Sequence, residues 1–253
     1  MNPLLNPPLL RAAYSDRTAW LMAECSRVAY FHFKAHGLKT LNLVPISYYG
    51  GPDRNEAYLA TNTEFAVLAF KGTVPSEAWT VETDLNVEFI QRRYGEVHEG
   101  FFDAFELMRP GIERDLKKLE VPVFVTGHSL GGALALIASV FLKDQEQLAA
   151  CYTYGCPRVG DDRFVDRLFK TPVYRCVRHA DIVPSLPLLG MGYRHYGDLR
   201  YLEDSGNVCG GSMADGKRLR AVLNPFNWPG CVADHAIERY CEILREYAEK
   251  RNP

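Results

Sequence analysis

The feature that most constrains the fold of this chain is a serine flanked by glycines. It lies between a strand-like run and a helix-like run. Residues 127–131 read GHSLG and fit the pattern G-x-S-x-G. Residues 121–126 before it are apolar and rich in valine, and residues 130–142 after it form an apolar run of helical composition. A serine at the apex of such a strand–turn–helix is a nucleophile elbow, in which glycines let strand and helix approach closely. We therefore predict that Ser129 is a nucleophile; the alternative is a glycine-rich helix start capped by serine.

Strand-like and helix-like runs alternate along the chain, which predicts a mostly parallel sheet covered by helices on both sides. Strands are predicted at 57–60, 65–70, 121–126, 150–154 and 173–177, with late edge strands at 193–196 and 199–202. Helices are predicted at 15–33, 100–119 with a break at Pro110-Gly111, 130–142, 161–169 and 232–250. Residues 203–230 hold several glycines and little periodicity, and they are predicted to form a surface excursion from a single domain spanning 1–253, with 1–14 as an N-terminal extension.

Composition excludes several classes of protein. The 253 residues are 47% hydrophobic, which excludes intrinsic disorder. Lys and Arg total 29 against 31 Asp and Glu, so the basic surface needed for nucleic-acid binding is not expected. The longest apolar run, residues 133–142, is about half of the roughly 20 residues that span a bilayer. Residues 1–14 contain three prolines and no charged start of the secretory-signal type. These features predict a soluble, cytoplasmic protein, with secretion of a processed form left open.

The seven cysteines show no close-spaced metal pattern. An odd number, mostly in predicted helices and strands, favours buried free thiols in a reducing compartment. Cys209 and Cys231 lie in loop-like sequence, and a disulfide between them is the alternative.

Further segments resemble, in the same order, those of the class 3 lipase family, which includes the fungal triacylglycerol lipases. The nucleophile segment is residues 125–135, VTGHSLGGALA. Around it, residues 70–73 (FKGT) resemble the family's oxyanion segment, and 97–101 (VHEGF), 154–160 (YGCPRVG), 178–184 (RHADIVP) and 234–235 (DH) resemble its other motifs. The resemblance covers roughly residues 64–247. It implies an α/β-hydrolase fold and a serine ester hydrolase that needs no metal or cofactor.

A serine hydroxyl needs a base and an orienting acid to act as a nucleophile. His235 follows the last strand-like run and precedes the closing helix, which is where the order serine, acid, histidine places the base. The other six histidines compete for this role. His32 and His36 are expected on a helix surface, His128 is expected to point away from the elbow, and His98, His179 and His195 stay as alternatives. The predicted acid is Asp181, which follows a core strand, and the resemblance supports both assignments. Competing carboxylates are Asp162, Asp166, Asp198 and Asp204.

The resemblance also assigns an oxyanion hole to the backbone N–H groups of Leu130 and Thr73, with the Thr73 hydroxyl as a further donor. Lys71 departs from the arginine that the family usually has there, which affects scaffold pairing more than chemistry. Residues 74–85 take the place of the family's helical lid, and Trp79 either faces lipid from this lid or packs into the core.

The predicted substrate is an ester lipid at a lipid–water interface, and the predicted activity is that of a triacylglycerol lipase. Three alternatives stay open: an esterase on short soluble or feruloyl-type esters, a phospholipase, and a non-catalytic lipase-like binding protein.

Overall fold

A computed structural model describes residues 3–5, 13–31, 34–51, 56–73, 89–92, 95–143, 147–178, 181–187, 189–203, 208–209 and 233–251. The candidate lid at 74–85 with Trp79, most of the 203–230 excursion and most of the 1–14 extension lie outside these residues. So do His179, Asp204 and Cys231.

The central sheet has eight described strands in the order β1-β2-β3-β6-β7-β8-β9-β10. The five strands from β3 to β9 are parallel neighbours, while β1 and β2 at one end and β10 at the other are antiparallel. This arrangement confirms the predicted mostly parallel sheet. The strands are β1 Val44–Gly50, β2 Glu56–Thr61, β3 Ala66–Phe70, β6 Val123–His128, β7 Leu148–Tyr154, β8 Val173–Arg178, β9 Asp198–Leu202 and β10 Val208–Cys209, and a separate hairpin joins β4 Phe89–Arg92 to β5 Gly95–His98.

Helices cover both faces of the sheet, as the alternation of runs predicted. On one face, α1 and α6 pack against each other and enclose one hydrophobic core. On the other face, α3 and α4 enclose a second core. Because the carboxyl ends of the parallel strands lie at one edge of the sheet, the loops that follow β3, β6, β7 and β8 meet there. The helices are α1 Asp16–Val28, α2 Lys34–Thr40, α3 Glu99–Leu116, α4 Leu130–Leu142, α5 Asp162–Arg167 and α6 Ile237–Arg251.

The predicted break in α3 is wrong, because the helix continues through Pro110 to Leu116. Pro110 is exposed, while Phe105, Met108 and Ile112 are buried on the opposite side. The proline therefore removes a hydrogen bond only on the solvent side, and burial of the apolar side keeps the helix intact.

Several predictions also need correction. Strands β1, β4 and β5 and helix α2 were not predicted. In β1, Val44–Gly50, a proline disguises the alternating pattern, and it is tolerated because β1 ends the described sheet. The predicted strand at 193–196 is reduced to an isolated bridge between Arg194 and Gly160. Gly192 and Gly197 flank it with positive φ angles of 88° and 104°, which turn the chain out of a strand.

Asp115 ties the end of α3 to β1 and supplies a prediction about acid stability. Its buried carboxylate accepts hydrogen bonds from Arg114 (3.0 Å), Lys118 (2.9 Å) and Ser47 (2.7 Å). These partners, Arg114 foremost, hold the pKa of Asp115 well below its usual value. A lowered pKa in the folded state stabilises the fold above the unfolded-state pKa of about 4, and this gain is lost as pH falls towards the folded-state value.

We expect Asp115→Asn to lower the free energy of unfolding by about 1 kcal/mol at neutral pH, since Arg114 and Lys118 are largely exposed and screened. Urea unfolding at pH 7 and pH 3 would measure this loss in the free energy of unfolding. The difference from the unchanged protein should shrink at the lower pH, and a pH-independent difference would contradict the assignment.

Candidate active site

Ser129 stands in a strained turn between β6 and α4. Its φ of 58° and ψ of −129° place a non-glycine residue in a region that side chains rarely adopt. A Cβ atom on Gly127 would lie 2.1 Å from the carbonyl oxygen of Gly131, and one on Gly131 would lie 2.3 Å from that of Phe70. Only glycine fits at either position, so strand, turn and helix approach as an elbow requires.

The structure brings Ser129, His235 and Asp181 together at the carboxyl ends of the parallel strands. The Nε2 atom of His235 lies 2.8 Å from the Ser129 Oγ, and its Nδ1 atom lies 3.0 Å from each carboxylate oxygen of Asp181. An ionised carboxylate only accepts hydrogen bonds, so Nδ1 carries the ring proton and Nε2 accepts from the serine hydroxyl. Ser129 and Asp181 are fully buried and His235 is 8% exposed.

Asp181 has two further donors that stabilise its charge. The Tyr240 hydroxyl donates to Oδ2 at 2.6 Å, and the Val183 backbone N–H donates to Oδ1 at 3.0 Å. Burial by itself raises the pKa of Asp181, but His235, Tyr240 and Val183 together lower it below its usual value. The sequence pattern placed Tyr240 only on the apolar face of α6, so its contact with the acid was not predicted.

His128 contacts the base from the other side. Its buried ring packs 4.5 Å from the His235 ring, centroid to centroid. Its Nε2 lies 2.6 Å from the His235 carbonyl oxygen and its Nδ1 lies 2.7 Å from the Tyr30 hydroxyl. Burial, and then the neighbouring His235, lower the pKa of His128 to about 3, so the ring is neutral at ordinary pH.

Four of the competing residues contact groups outside the proposed triad. The His195 Nε2 lies 2.8 Å from the Pro184 carbonyl oxygen, and the His98 ring stacks on Phe101. Asp162 pairs with Arg194 and Asp198 with Arg200.

One predicted oxyanion residue, Leu130, directly follows the serine, and the other, Thr73, directly follows a glycine that lies close to it. Leu130 is the first residue of α4, where backbone N–H groups lack helical partners. Gly72, which precedes Thr73, is so close that a Cβ atom on it would lie 3.2 Å from the Ser129 Cβ. Lys71 pairs with Glu56 at 2.8 Å, and Glu56 also binds Lys34 at 2.6 Å.

A partly buried ion pair joins the two loops that carry the base and the acid. Arg178, the last residue of β8, pairs with Asp234, which directly precedes His235. The Arg178 backbone N–H also donates to the Tyr240 hydroxyl at 3.1 Å. The sequence offered no signal for this pair, because its partners are 56 residues apart.

Gly155 supplies a test of how tightly this site is packed. Its φ is +56°, and a Cβ atom there would lie 2.5 Å from the Asp181 Oδ2 and 2.9 Å from the His235 Nδ1. We expect Gly155→Ala to displace the Asp181–His235 pair and to lower kcat for an ester by about 100-fold, as displacements near 1 Å do. Gly51→Ala is the matched control, since a Cβ atom there meets nothing within 4 Å. Equal kcat values for the two variants would contradict the packing described.

Comparison with known proteins gives this geometry a context. Residues 67–191 match the family model described as lipase (class 3). A lipase of Rhizomucor miehei is 32% identical over 185 residues, which cover 66% of this chain and 50% of the relative. The secreted mono- and diacylglycerol lipase 1 of Fusarium solani is 34% identical over 149 residues, which cover 55% of this chain and 45% of that protein. The chain belongs to the class 3 lipase family. It spans about half the length of these two relatives.

Solved structures agree with the family assignment. The Rhizomucor miehei triacylglyceride lipase superposes with a TM-score of 0.68 at 25% identity, over 78% of this chain and 84% of that chain. The fold is therefore of the α/β-hydrolase type, as the resemblance implied. The segment matched by the class 3 lipase model contains Thr73, Ser129 and Asp181, while His235 follows it. Among the described residues, no helix has both the length and the apolar character to span a membrane.

Proposed function

We propose that this class 3 lipase family member hydrolyses carboxylic esters of acylglycerols, with Ser129 as nucleophile, His235 as base and Asp181 as orienting acid. One observation carries the proposal most strongly. A single imidazole contacts a strained serine hydroxyl through Nε2 and a buried carboxylate through Nδ1. This arrangement supports acyl transfer because it deprotonates the serine as it attacks.

In the first step, the Ser129 Oγ attacks the ester carbonyl carbon and His235 Nε2 takes the hydroxyl proton. The imidazolium that forms is stabilised by the Asp181 charge, which is fully buried and 3.0 Å away. As the ester bond breaks, His235 gives the proton to the departing glyceride oxygen, which leaves as an alcohol, and an acyl-enzyme remains. The same histidine then deprotonates the attacking water and returns that proton to the Ser129 Oγ, which releases the fatty acid and restores the serine.

The negative charge that develops on the carbonyl oxygen needs preorganised donors. We assign the Leu130 N–H, at the N-terminus of α4, and the Thr73 N–H and hydroxyl to this role. The helix end adds a partial positive charge at the same place. Loss of one such donor typically raises the barrier by roughly 3–4 kcal/mol.

The burial of the site supports a substrate presented at an interface. Ser129 exposes none of its surface in this structure, so an ester carbonyl reaches Oγ only after neighbouring chain has moved. A lipid surface that binds the displaced chain would favour that movement. We therefore expect aggregated esters to be better substrates than dissolved ones.

Hydrolysis of p-nitrophenyl esters from acetate to palmitate, measured below and above their solubility limits, tests this function. Emulsified triacylglycerol, phospholipid vesicles and a feruloyl ester complete the set. A rate that rises sharply above the solubility limit, with fatty acid released from triacylglycerol, is expected. Turnover of short soluble esters alone would indicate an esterase, and preference for phospholipid would indicate a phospholipase. No turnover and no labelling of Ser129 by a phosphonate ester would contradict catalysis altogether.

We also propose that the protein acts in a reducing compartment such as the cytoplasm. The five cysteines whose side chains are described are all buried free thiols, and burial raises the pKa of Cys25 and of Cys151 to about 12, which keeps them unreactive. Alkylation of the protein from its native cells, before and after reduction, tests the proposal by mass spectrometry. A Cys209–Cys231 disulfide would contradict it.

A further inference from the structure

A chain of hydrogen bonds leads away from the base on the side opposite Asp181. The His235 carbonyl oxygen lies 2.6 Å from the His128 Nε2, and the His128 Nδ1 lies 2.7 Å from the Tyr30 hydroxyl. The Gly72 backbone lies against the Tyr30 oxygen, since a Cβ atom on Gly72 would lie 2.2 Å from it. We refer to the side chains of Tyr30 and His128 as the relay.

The direction of every bond in the relay follows from simple donor and acceptor rules. A carbonyl oxygen only accepts, so His128 Nε2 carries the proton and donates to the His235 carbonyl. The ring is neutral, so Nδ1 has a lone pair and accepts from the Tyr30 hydroxyl. Burial raises the pKa of Tyr30, and the Gly72 backbone acts in the opposite direction, as a donor to the tyrosine oxygen would. Each donor in the relay therefore faces an acceptor.

The relay joins the three parts on which the proposed reaction depends. Gly72 directly precedes Thr73, the assigned oxyanion donor. His128 directly precedes Ser129 in the chain, and its Nε2 atom holds the backbone carbonyl of His235. Tyr30 lies just after the end of α1, so the residue that connects Gly72 to His128 comes from outside the parallel strands.

The position of the base needs more than one anchor. The Asp181 carboxylate holds the ring through Nδ1, and rotation about that contact would still swing Nε2 away from the serine. A second anchor at the His235 carbonyl fixes the backbone from which the ring projects. With both anchors in place, the 2.8 Å contact between His235 Nε2 and Ser129 Oγ is determined.

We propose that Tyr30 and His128 are positioning residues that couple the oxyanion segment at Gly72–Thr73 to the base His235. This inference rests on the proposed ester hydrolysis. Neither residue transfers a proton to the substrate, and their contribution is the relative placement of donor, nucleophile and base.

Tyr30→Phe removes only the hydroxyl and leaves the ring in place. We expect kcat for a soluble p-nitrophenyl ester to fall about 10-fold with KM nearly unchanged, since small displacements at a reacting centre act on the transition state. The rate is expressed per active site, counted by the burst of p-nitrophenol from a phosphonate ester. A purely structural role would lower the number of active sites and leave the rate of each site unchanged.

Two substitutions at His128 test the Nε2–H donor separately from the rest of the side chain. His128→Gln keeps an N–H close to the position of Nε2 and should retain most of kcat, whereas His128→Leu lacks the donor and should lose about 10-fold or more. The double variant Tyr30→Phe with His128→Leu should be no slower than His128→Leu alone, because residues in one network are not additive.

Tyr58→Phe is the matched control. The Tyr58 hydroxyl is also buried and donates to a carbonyl of α1, that of Cys25, at 2.7 Å. Its loss should leave kcat per active site unchanged. The relay is overturned if Tyr30→Phe and His128→Leu both keep kcat per site within about twofold of the unchanged protein, or if their losses multiply in the double variant. An unchanged protein without esterase activity would instead overturn the proposed function.

Discussion

Ser129→Ala is expected to abolish ester hydrolysis, with kcat falling by roughly a million-fold, the scale seen when a triad serine is removed in another hydrolase. Alanine lacks the Oγ that must bond to the carbonyl carbon, and no other described hydroxyl lies within hydrogen-bond distance of His235 Nε2. Alanine at a φ of 58° meets the same backbone strain as serine, so the fold should be retained.

Ser139→Ala is the matched control for this prediction. Ser139 is equally buried, on the helix that follows the nucleophile, and its hydroxyl donates within that helix to the Ala135 carbonyl at 2.8 Å. Initial rates on a short p-nitrophenyl ester, with thermal unfolding measured in parallel, compare the two variants. Residual activity of Ser129→Ala within 100-fold of the unchanged protein would mean that another residue attacks the ester.

Asp181→Asn should lower kcat by about 10,000-fold, the effect of the corresponding change in a serine protease. The carboxylate accepts from three donors: the His235 Nδ1–H, which faces both oxygens, the Tyr240 hydroxyl and the Val183 N–H. An amide nitrogen cannot accept. Both oxygens lie 3.0 Å from Nδ1, so the amide N–H₂ that replaces either of them faces the ring. It favours the tautomer with the proton on Nε2, and the base then has no lone pair for the serine proton.

Asp162→Asn is the control for this change, because Asp162 lies on α5 with its side chain 72% exposed and pairs with Arg194 at 3.2 Å. It should keep full activity. The measurement is kcat on a soluble ester over a range of pH, together with the rate of phosphonate labelling of Ser129. Equal losses in the two variants, or a loss below 100-fold in Asp181→Asn, would remove Asp181 from the proposed role.

Local sequence was enough to predict the elbow and most of the elements around it. The helix Leu130–Leu142 begins and ends where its apolar run predicts, and β6 ends at His128, next to the serine. This succeeded because the elbow is built from neighbouring residues: a strand, a turn that only glycine permits, and a helix. Local signals failed at Pro110 and at β1, where burial of distant apolar residues and position in the sheet override propensity.

The order of motifs along the chain predicted Ser129, Asp181 and His235 as candidates, and the structure describes them within hydrogen-bond distance of one another. The surroundings of these residues were not predictable. Tyr240 has the spacing of a core residue on α6, and Tyr30 follows a helix 98 residues before its partner His128. Hydrophobic periodicity reports which side chains are buried, but it does not report which buried hydroxyl meets which polar atom.

The sequence by itself therefore determined the fold class, the nucleophile turn and the small set of residues from which base and acid are drawn. The tertiary structure decided which donors surround Asp181, why Gly155 has no room for a side chain, and that Tyr30 and His128 join the base to the oxyanion segment. The physical reason is the distance along the chain over which each kind of interaction acts. Turn geometry and periodicity act over a few residues, whereas the polarity and spacing of a buried hydrogen-bond network depend on contacts between segments that only the packed fold brings together.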